Sequence, residues 1–160
     1  MTPGARTVPV SVPWPTTALP PPLSNLSVVE LLEVQLIGWV KADAYLMSVI
    51  DGRIYTNVPA NTPFPLVRVE QAVARPFDRM RGFGYEVTIQ VRSSSQLRGD
   101  YECHRISDRI RMVVDTQQVP LPPYRQALWR FDPGGPVFAD ELAGVLTYHR
   151  PDIYRVWVTV

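Results

Sequence analysis

The stretch that decides the fold is Leu46–Gln71, LMSVIDGRIYTNVPANTPFPLVRVEQ. A helix end runs into Gly52, which supplies the left-handed residue that ends a helix. RIYTNV then predicts a short strand. PANTPFP predicts a loop, because three prolines in seven residues do not fit a central strand. LVRVEQAV predicts the next strand, and the polar residues of the whole stretch suggest no reaction.

Two helices lie before this loop and strands. Ser27 with Glu30 three residues later fits a capping box, and it predicts a helix from about residue 26 to residue 41. Asp43 can cap a second, short helix over residues 44–50.

The first helix is apolar on more than one side. One stripe is formed by Val29, Leu32, Leu36 and Trp39. A second apolar side supplies three candidate subunit contacts: Leu31, Val34 and Ile37. Such a helix is either sandwiched between its own sheet and another subunit or buried wholly within one domain, and the sequence leaves both interpretations open.

The region after the stretch predicts an α+β domain. YEVTIQV alternates as a half-buried strand, SSSQ predicts a turn, and residues 98–115 predict a second main helix with Cys103, Ile106, Ile110 and Val113 on one stripe. YRQALWRF, ELAGVLTYH and DIYRVWVTV predict further strands. We therefore expect a mainly antiparallel sheet of about four to five strands packed against two main helices.

The connection ARPFDRMRGFG, between two predicted strands, is basic and contains glycines. It predicts a loop over residues 75–84 in which aromatic side chains stand between arginines. Such a loop can contact single-stranded nucleic acid, but a solvated or inter-subunit loop is the favoured interpretation. Its candidate contact residues are Arg75, Arg79, Arg81 and Phe83.

Residues 1–24 hold seven of the seventeen prolines. They predict an extended, proline-rich N-terminal arm, followed by a single domain over residues 25–160. Valines and Trp14 make the arm more apolar than a solvated linker, which points to docking with Trp14 as an anchor. A tail that stays disordered is the alternative.

Composition sets broad limits on function. Hydrophobic residues make up 46%, charged residues 19%, and the net charge is +1, which lacks the basic excess of a dedicated nucleic-acid binder. The N-terminus lacks a signal peptide's apolar region, and no segment is long and apolar enough to cross a bilayer. We expect a soluble protein with no membrane partner.

The sequence contains few candidates for catalytic or metal-binding residues. Cys103, the single cysteine, and His104 are adjacent within a helix, so their side chains do not face each other, and an inert buried thiol is favoured. The histidines and the cysteine fit no zinc spacing, and Asp140 with Glu141 is favoured as a solvated pair. We predict no catalytic residue, no cofactor, no metal and no enzymatic activity.

The order of these elements resembles the tail-terminator proteins of long-tailed bacteriophages, which are also called tail-completion or head–tail joining proteins. The resemblance covers about residues 26–160. It is carried by DGRIYTNVP, by TPFPLVRVEQAVARPFD with its Pro65 strand start, and by the alternating strand, amphipathic helix and terminal strands that follow. The proline-rich arm departs from that pattern.

The resemblance implies a structural virion protein. It implies a homo-hexameric ring that ends the tail tube and joins it to the head-side connector or stopper, with phage DNA passing through the lumen without tight binding. The location implied is the virion neck, and the host cytoplasm during assembly. Two alternatives remain: another neck or tail component, such as a head-completion stopper or tube subunit, and a small intracellular ligand-binding module.

Overall fold

The computed structural model describes residues 27–79, 82–142 and 144–160. The predicted arm, with Trp14, and Arg81 of the predicted loop lie outside the described residues. The elements are α1 (Val28–Ala42), α2 (Ala44–Ile50), β1 (Ile54–Tyr55), β2 (Leu66–Arg79), β3 (Gly82–Ser95), α3 (Tyr101–Val114), β4 (Gln118–Val119), β5 (Gln126–Asp132), β6 (Phe138–Leu142) and β7 (Val145–Thr159).

Local capping chemistry sets the ends of α1 and α2. The backbone N–H of Ser27 donates to the Glu30 carboxylate at 2.6 Å, and the N–H of Glu30 donates to the Ser27 hydroxyl at 3.2 Å, which confirms the capping box. Asp43 accepts the N–H of Leu46 at 2.9 Å and begins α2 as predicted. Two residues in positive φ, Asp51 (49°) and Gly52 (69°), end it.

The stripe that α1 buries is rotated from the predicted one. Its fully buried residues repeat every four positions: Val28, Leu32, Leu36 and Val40. Val29 and Trp39 are only partly buried, and Trp39 packs edge-on against Trp129 of β5 with ring centroids 5.3 Å apart. Leu32 and Leu36 were therefore predicted correctly, and the flanking positions were not.

Within the described part of the chain, the sheet has seven strands in the order β1-β2-β3-β7-β5-β4, with β6 also pairing with β7. The α+β class is correct, but the expected four to five strands are too few. The sheet is also mixed, because β1 pairs in parallel with β2 while the other strand pairs are antiparallel. The two-residue strands β1 and β4 are too short to leave a periodic signal in the sequence.

The long strand β7 is the axis of the sheet. One edge pairs with β3, while the other pairs with β5 over residues 153–159 and with β6 over residues 145–149. The prediction of two strands in this region was wrong in its boundaries. The chain turns at Gly144, with φ of 77°, and then runs straight through Pro151. A proline is tolerated there because the second edge changes partners at that point, so no ladder bond requires its N–H.

The connection from β5 to β6 lies against β7 at Pro151. A Cβ atom on Gly134 would lie 1.9 Å from the Pro151 carbonyl oxygen and 2.7 Å from the Asp152 Cα. Both neighbours are backbone atoms, which cannot rotate away. This close approach therefore requires glycine at position 134.

The helices cover one face of the sheet and form the core with it. The alternation in β3 is confirmed, with Val87, Ile89 and Val91 buried. The predicted serine-rich turn was wrong, since residues 93–95 continue β3 and are buried. In α3 the stripe is Cys103, Ile106, Ser107, Ile110 and Val114, with Val113 only partly buried.

Candidate assembly surfaces

The predicted loop over residues 75–84 is mostly strand. β2 and β3 form a hairpin in which Arg75 lies opposite Glu86 and Phe77 opposite Gly84, so the loop interpretation was wrong for these residues. Arg75 is exposed on β2, and Arg79 ends that strand. Proline and glycine were interpreted as loop signals, but a strand accommodates a proline whose missing N–H faces no partner and a glycine where another group approaches the backbone closely.

An apolar surface with an exposed aromatic ring lies near the far end of the hairpin. Phe83 is 71% exposed, although its carbonyl accepts the backbone N–H of Val160 at 3.2 Å, so the ring projects from a fixed backbone. A shallow concavity of about 410 Å³ surrounds it, lined by Pro76, Phe77, Phe83, Gly84, Tyr85 and Val160. Exposed aromatic side chains on a rigid element are typical anchors of protein interfaces.

Gly84 keeps the hairpin end closely packed. A Cβ atom there would lie 2.3 Å from the Val158 carbonyl oxygen and 2.7 Å from the Phe77 ring. The Phe77 ring therefore lies directly over the β3 backbone. The sequence signal was the pair of glycines in GFG, which was interpreted as part of the loop over residues 75–84, but Gly84 instead marks a close approach of a ring to a strand.

The three α1 residues predicted as subunit contacts are not equivalent. Leu31 and Ile37 are partly buried and pack against the domain's own core. Val34 is 64% exposed. The exposed surface of α1 is therefore narrower than the sequence pattern suggested.

The sheet face opposite the helices carries ion pairs. Glu70 forms one with Arg92, with N and O 2.9 Å apart, and accepts a hydrogen bond from Gln90 at 3.1 Å. Arg155 lies 2.7 Å from Asp132. These polar strand positions were visible in the sequence only as the solvent-facing half of an alternation, with no signal for their pairing.

A second polar cluster is buried between α3 and β7. The Ser107 hydroxyl donates to the Asp152 carboxylate, and Arg150 lies 3.4 Å from the same side chain. Burial raises the pKa of the Asp152 carboxyl above its usual range. His104 contacts Arg150 and Asp100 rather than Ser107. The serine and histidine therefore form no nucleophile–base pair, and the cluster lacks the geometry of a hydrolase site.

Cys103 is buried and its thiol donates to the Tyr148 carbonyl at 3.2 Å. Burial raises the pKa of the thiol to about 11, so roughly one molecule in a thousand carries a thiolate at pH 8. We expect a thiol reagent to label Cys103 only after unfolding.

Cys103→Ala is expected to fold and assemble like the parent, since the thiol only fills the core and makes one weak hydrogen bond. Cys103→Ser keeps a donor for the Tyr148 carbonyl, and it is the matched control. Urea melts and assembly assays test both variants. A folded Ala variant that fails to assemble would contradict this assignment.

Within residues 27–79, 82–142 and 144–160, no group of three or more His, Cys, Asp or Glu side chains is placed to hold a metal ion. Among the helices described, none has the length and apolar character needed to span a membrane.

These features define an α+β domain whose exposed aromatic and strand-edge surfaces suit assembly. The family described as Tail completion protein gp17 matches residues 34–142, which is more than half of the chain. The chain belongs to this family of phage tail completion proteins.

The fold has a counterpart among solved structures. A chain in the structure titled "Virion of native gene transfer agent (GTA) particle" is similar, with a TM-score of 0.65 and 14% sequence identity. The similarity covers 81% of this chain and 95% of that chain. At this level of identity the likeness concerns the fold alone. No curated protein matches this chain.

Proposed function

We propose that the chain is a tail terminator: a structural protein of the virion neck that forms a homo-hexameric ring on the finished tail tube. The observation that carries the proposal is the tail-completion family match over residues 34–142. The ring ends tube growth, joins the tube to the head-side connector or stopper, and leaves a channel for phage DNA. The subunits assemble in the host cytoplasm.

The charge pattern of the open sheet face supports a channel that DNA can traverse. Non-specific DNA binding depends on unpaired cations that neutralise phosphates. On this face Arg92 and Arg155 already contact Glu70 and Asp132. A wall of this kind contacts DNA without holding it tightly.

The hairpin end is the proposed contact with the tube or with a neighbouring subunit. It combines the exposed Phe83 ring with a concavity beside it. Because the ring projects from two paired strands, a partner need not order a loop before binding, which lowers the entropic cost of association.

Cryo-EM of the virion neck and native mass spectrometry of the purified chain test the proposal. We expect one layer of this protein with six-fold symmetry, lying between tail tube and connector. A layer with another symmetry would overturn the proposal. So would incorporation of the chain along the whole length of the tube, which is the behaviour of a tube subunit.

Phe83→Ser is expected to weaken tube capping without unfolding the domain. Truncation of an aromatic anchor typically removes about 2 kcal/mol or more of binding free energy, roughly a 30-fold loss of affinity. Leu97→Ser is the matched control, because Leu97 is also exposed (59%) and lies outside the hairpin. Capping is measured as the length distribution of tubes assembled with each variant. Equal capping by the two variants would exclude Phe83 as an anchor.

A further inference from the structure

β2 has one free edge. β3 pairs with it along its whole length, from Leu66 to Arg79, but on the other side β1 pairs only with Val67 and Arg68. Beyond Arg68, no strand among residues 27–79, 82–142 and 144–160 covers this second edge. An uncovered strand edge of this length is a template on which another extended chain can pair.

The register identifies the backbone groups that point outward along the edge. The N–H of Val67 donates to the Arg53 carbonyl at 2.8 Å, so the backbone N–H and carbonyl of Val67 point away from β3. In an antiparallel pair, facing residues alternate between bonded and non-bonded positions. Val67 lies opposite Ser93, and the positions of the same class further along β3 lie opposite Val69, Ala72, Ala74, Pro76 and Asp78.

The free edge therefore presents a short, defined set of groups. Ala72 and Ala74 each offer an N–H and a carbonyl, and Pro76 offers a carbonyl only. The bulge between Glu70 and Ala72 adds one residue on β2 and none on β3. The alternation along β3 therefore continues unchanged, while the outward positions on β2 change from odd to even residue numbers. Pro76 fits here because its missing N–H faces outward and removes no bond to β3.

The N-terminal sequence contains a segment with complementary chemistry. In TVPVSVPWP, residues 8, 10, 12 and 14 are Val, Val, Val and Trp, while the prolines stand at 9, 13 and 15. In an extended strand, alternate residues direct both their backbone groups to the same edge and their side chains to the same face. All even residues keep their N–H groups, and the prolines block only the opposite edge.

We propose that residues 8–14 of one copy add as an extra strand along the free edge of β2, at Ala72–Pro76, of a neighbouring copy. The even residues pair with the outward groups of that edge, and their apolar side chains share one face. The proline-bearing edge stays outside and accepts no further strand. This inference rests on the proposed function, because it supplies the contact between adjacent subunits of the ring.

The arrangement is head-to-tail. Each copy has one arm and one free edge, which are different surfaces, and such heterologous contacts form a ring when the rotation from copy to copy closes. The segment from Pro15 to Ser27 spans about 37 Å when extended, similar to the diameter of a domain of this size. An arm that paired with its own domain would cover the edge in every copy and leave this contact unmade.

Two proline substitutions at adjacent positions, which remove N–H groups from opposite edges of the arm strand, test the pairing. Val10→Pro removes an N–H from the pairing edge, whereas Ser11→Pro adds a proline on the edge that is already blocked. We expect Val10→Pro to weaken association at least about tenfold, and Ser11→Pro to assemble like the parent. Val10→Thr, which keeps the N–H and the branched side chain, should also assemble. Equal assembly by the two proline variants overturns the inference.

A mixing experiment identifies the source of the arm. Ala74→Pro removes an outward N–H from the edge, while Val10→Pro disables the arm. Each variant alone should remain monomeric by native mass spectrometry, but a mixture should form one-to-one dimers. A mixture that remains monomeric, with edge amides already protected in the single chain, would mean that the arm pairs with its own domain, and the inference would fail.

Hydrogen exchange provides a readout that does not require Ala74→Pro to fold. The amides of Ala72 and Ala74 should exchange slowly in the assembled parent and rapidly in the Val10→Pro chain. Fast exchange in an assembled ring overturns the inference and leaves the proposed function intact. A parent that forms no ring, even on tail tubes, defeats the proposed function itself.

Discussion

Gly134→Ala is expected to lower the free energy of unfolding by about 3 kcal/mol or more. The added methyl group would lie 1.9 Å from the Pro151 carbonyl oxygen and 2.7 Å from the Asp152 Cα. These are backbone atoms of the axial strand β7, so relief requires the β5–β6 connection to move away from the sheet. Because a domain of this kind has only about 5–15 kcal/mol of stability, such a loss removes a large part of it.

Two other glycines are the controls for this prediction. A Cβ on Gly135 would meet only the Pro151 side chain, at 3.3 Å, and one on Gly38 of α1 would meet nothing within 4 Å. Gly135→Ala should change stability little. Gly38→Ala should raise it by about 1 kcal/mol, since alanine favours helix. Urea unfolding measures all three variants. A Gly134→Ala chain whose free energy of unfolding is within about 1 kcal/mol of the parent's would contradict the close approach of Gly134 to β7.

Deleting residues 1–22 is expected to abolish ring or neck assembly while leaving the melting temperature of the domain nearly unchanged. The described core residues, from Val28 onward, pack against one another, and we expect this packing to hold without the arm. Trp14→Ala alone should reproduce much of the loss, because a tryptophan anchor often contributes 2 kcal/mol or more of binding free energy. Native mass spectrometry and thermal melts measure the two effects.

A shorter deletion controls for loss of the arm. Removing residues 2–6 keeps the segment 8–14 and should preserve assembly. The arm would be dispensable if phage carrying the 1–22 deletion is fully infective and the density of the parent virion is blank before about Ser24.

Local signals predicted the helices well. The Ser27–Glu30 box and the Asp43 cap each depend on a side chain meeting a backbone group three residues away, and such contacts are visible in a short window of sequence. The rotation of the α1 stripe was not visible in this way. It depends on where Trp129, from a distant strand, meets Trp39.

Strand boundaries depended on contacts distant in sequence. Pro151 was interpreted as a break between two strands, but it lies inside β7 because two different partners meet there on one edge. Likewise Pro76 and Gly84 signalled a loop, although the first lies on an edge of β2 that none of the described strands covers and the second beneath the Phe77 ring. Sequence gives the residue type, whereas the neighbouring strand decides whether that type is tolerated.

The candidate contact residues differ in their exposure to solvent, which also depends on neighbours distant in sequence. Phe83 is exposed, as expected of an anchor, but on a hairpin rather than a mobile loop. Leu31 and Ile37 resemble Val34 in the sequence, yet only Val34 is largely exposed. Apolar character on a helix does not distinguish a core contact from a partner contact.

The position of β7 also has a consequence for biosynthesis. It is the middle strand of the sheet, yet it follows every other strand in the chain. While the ribosome adds residues at about 5–20 per second, the nascent chain carries β3 and β5 without the neighbour that both require. The strands can therefore complete their pairing only after translation has passed Thr159. Rapid elongation through residues 145–159 shortens the time in which unpaired strand edges are exposed to other nascent chains.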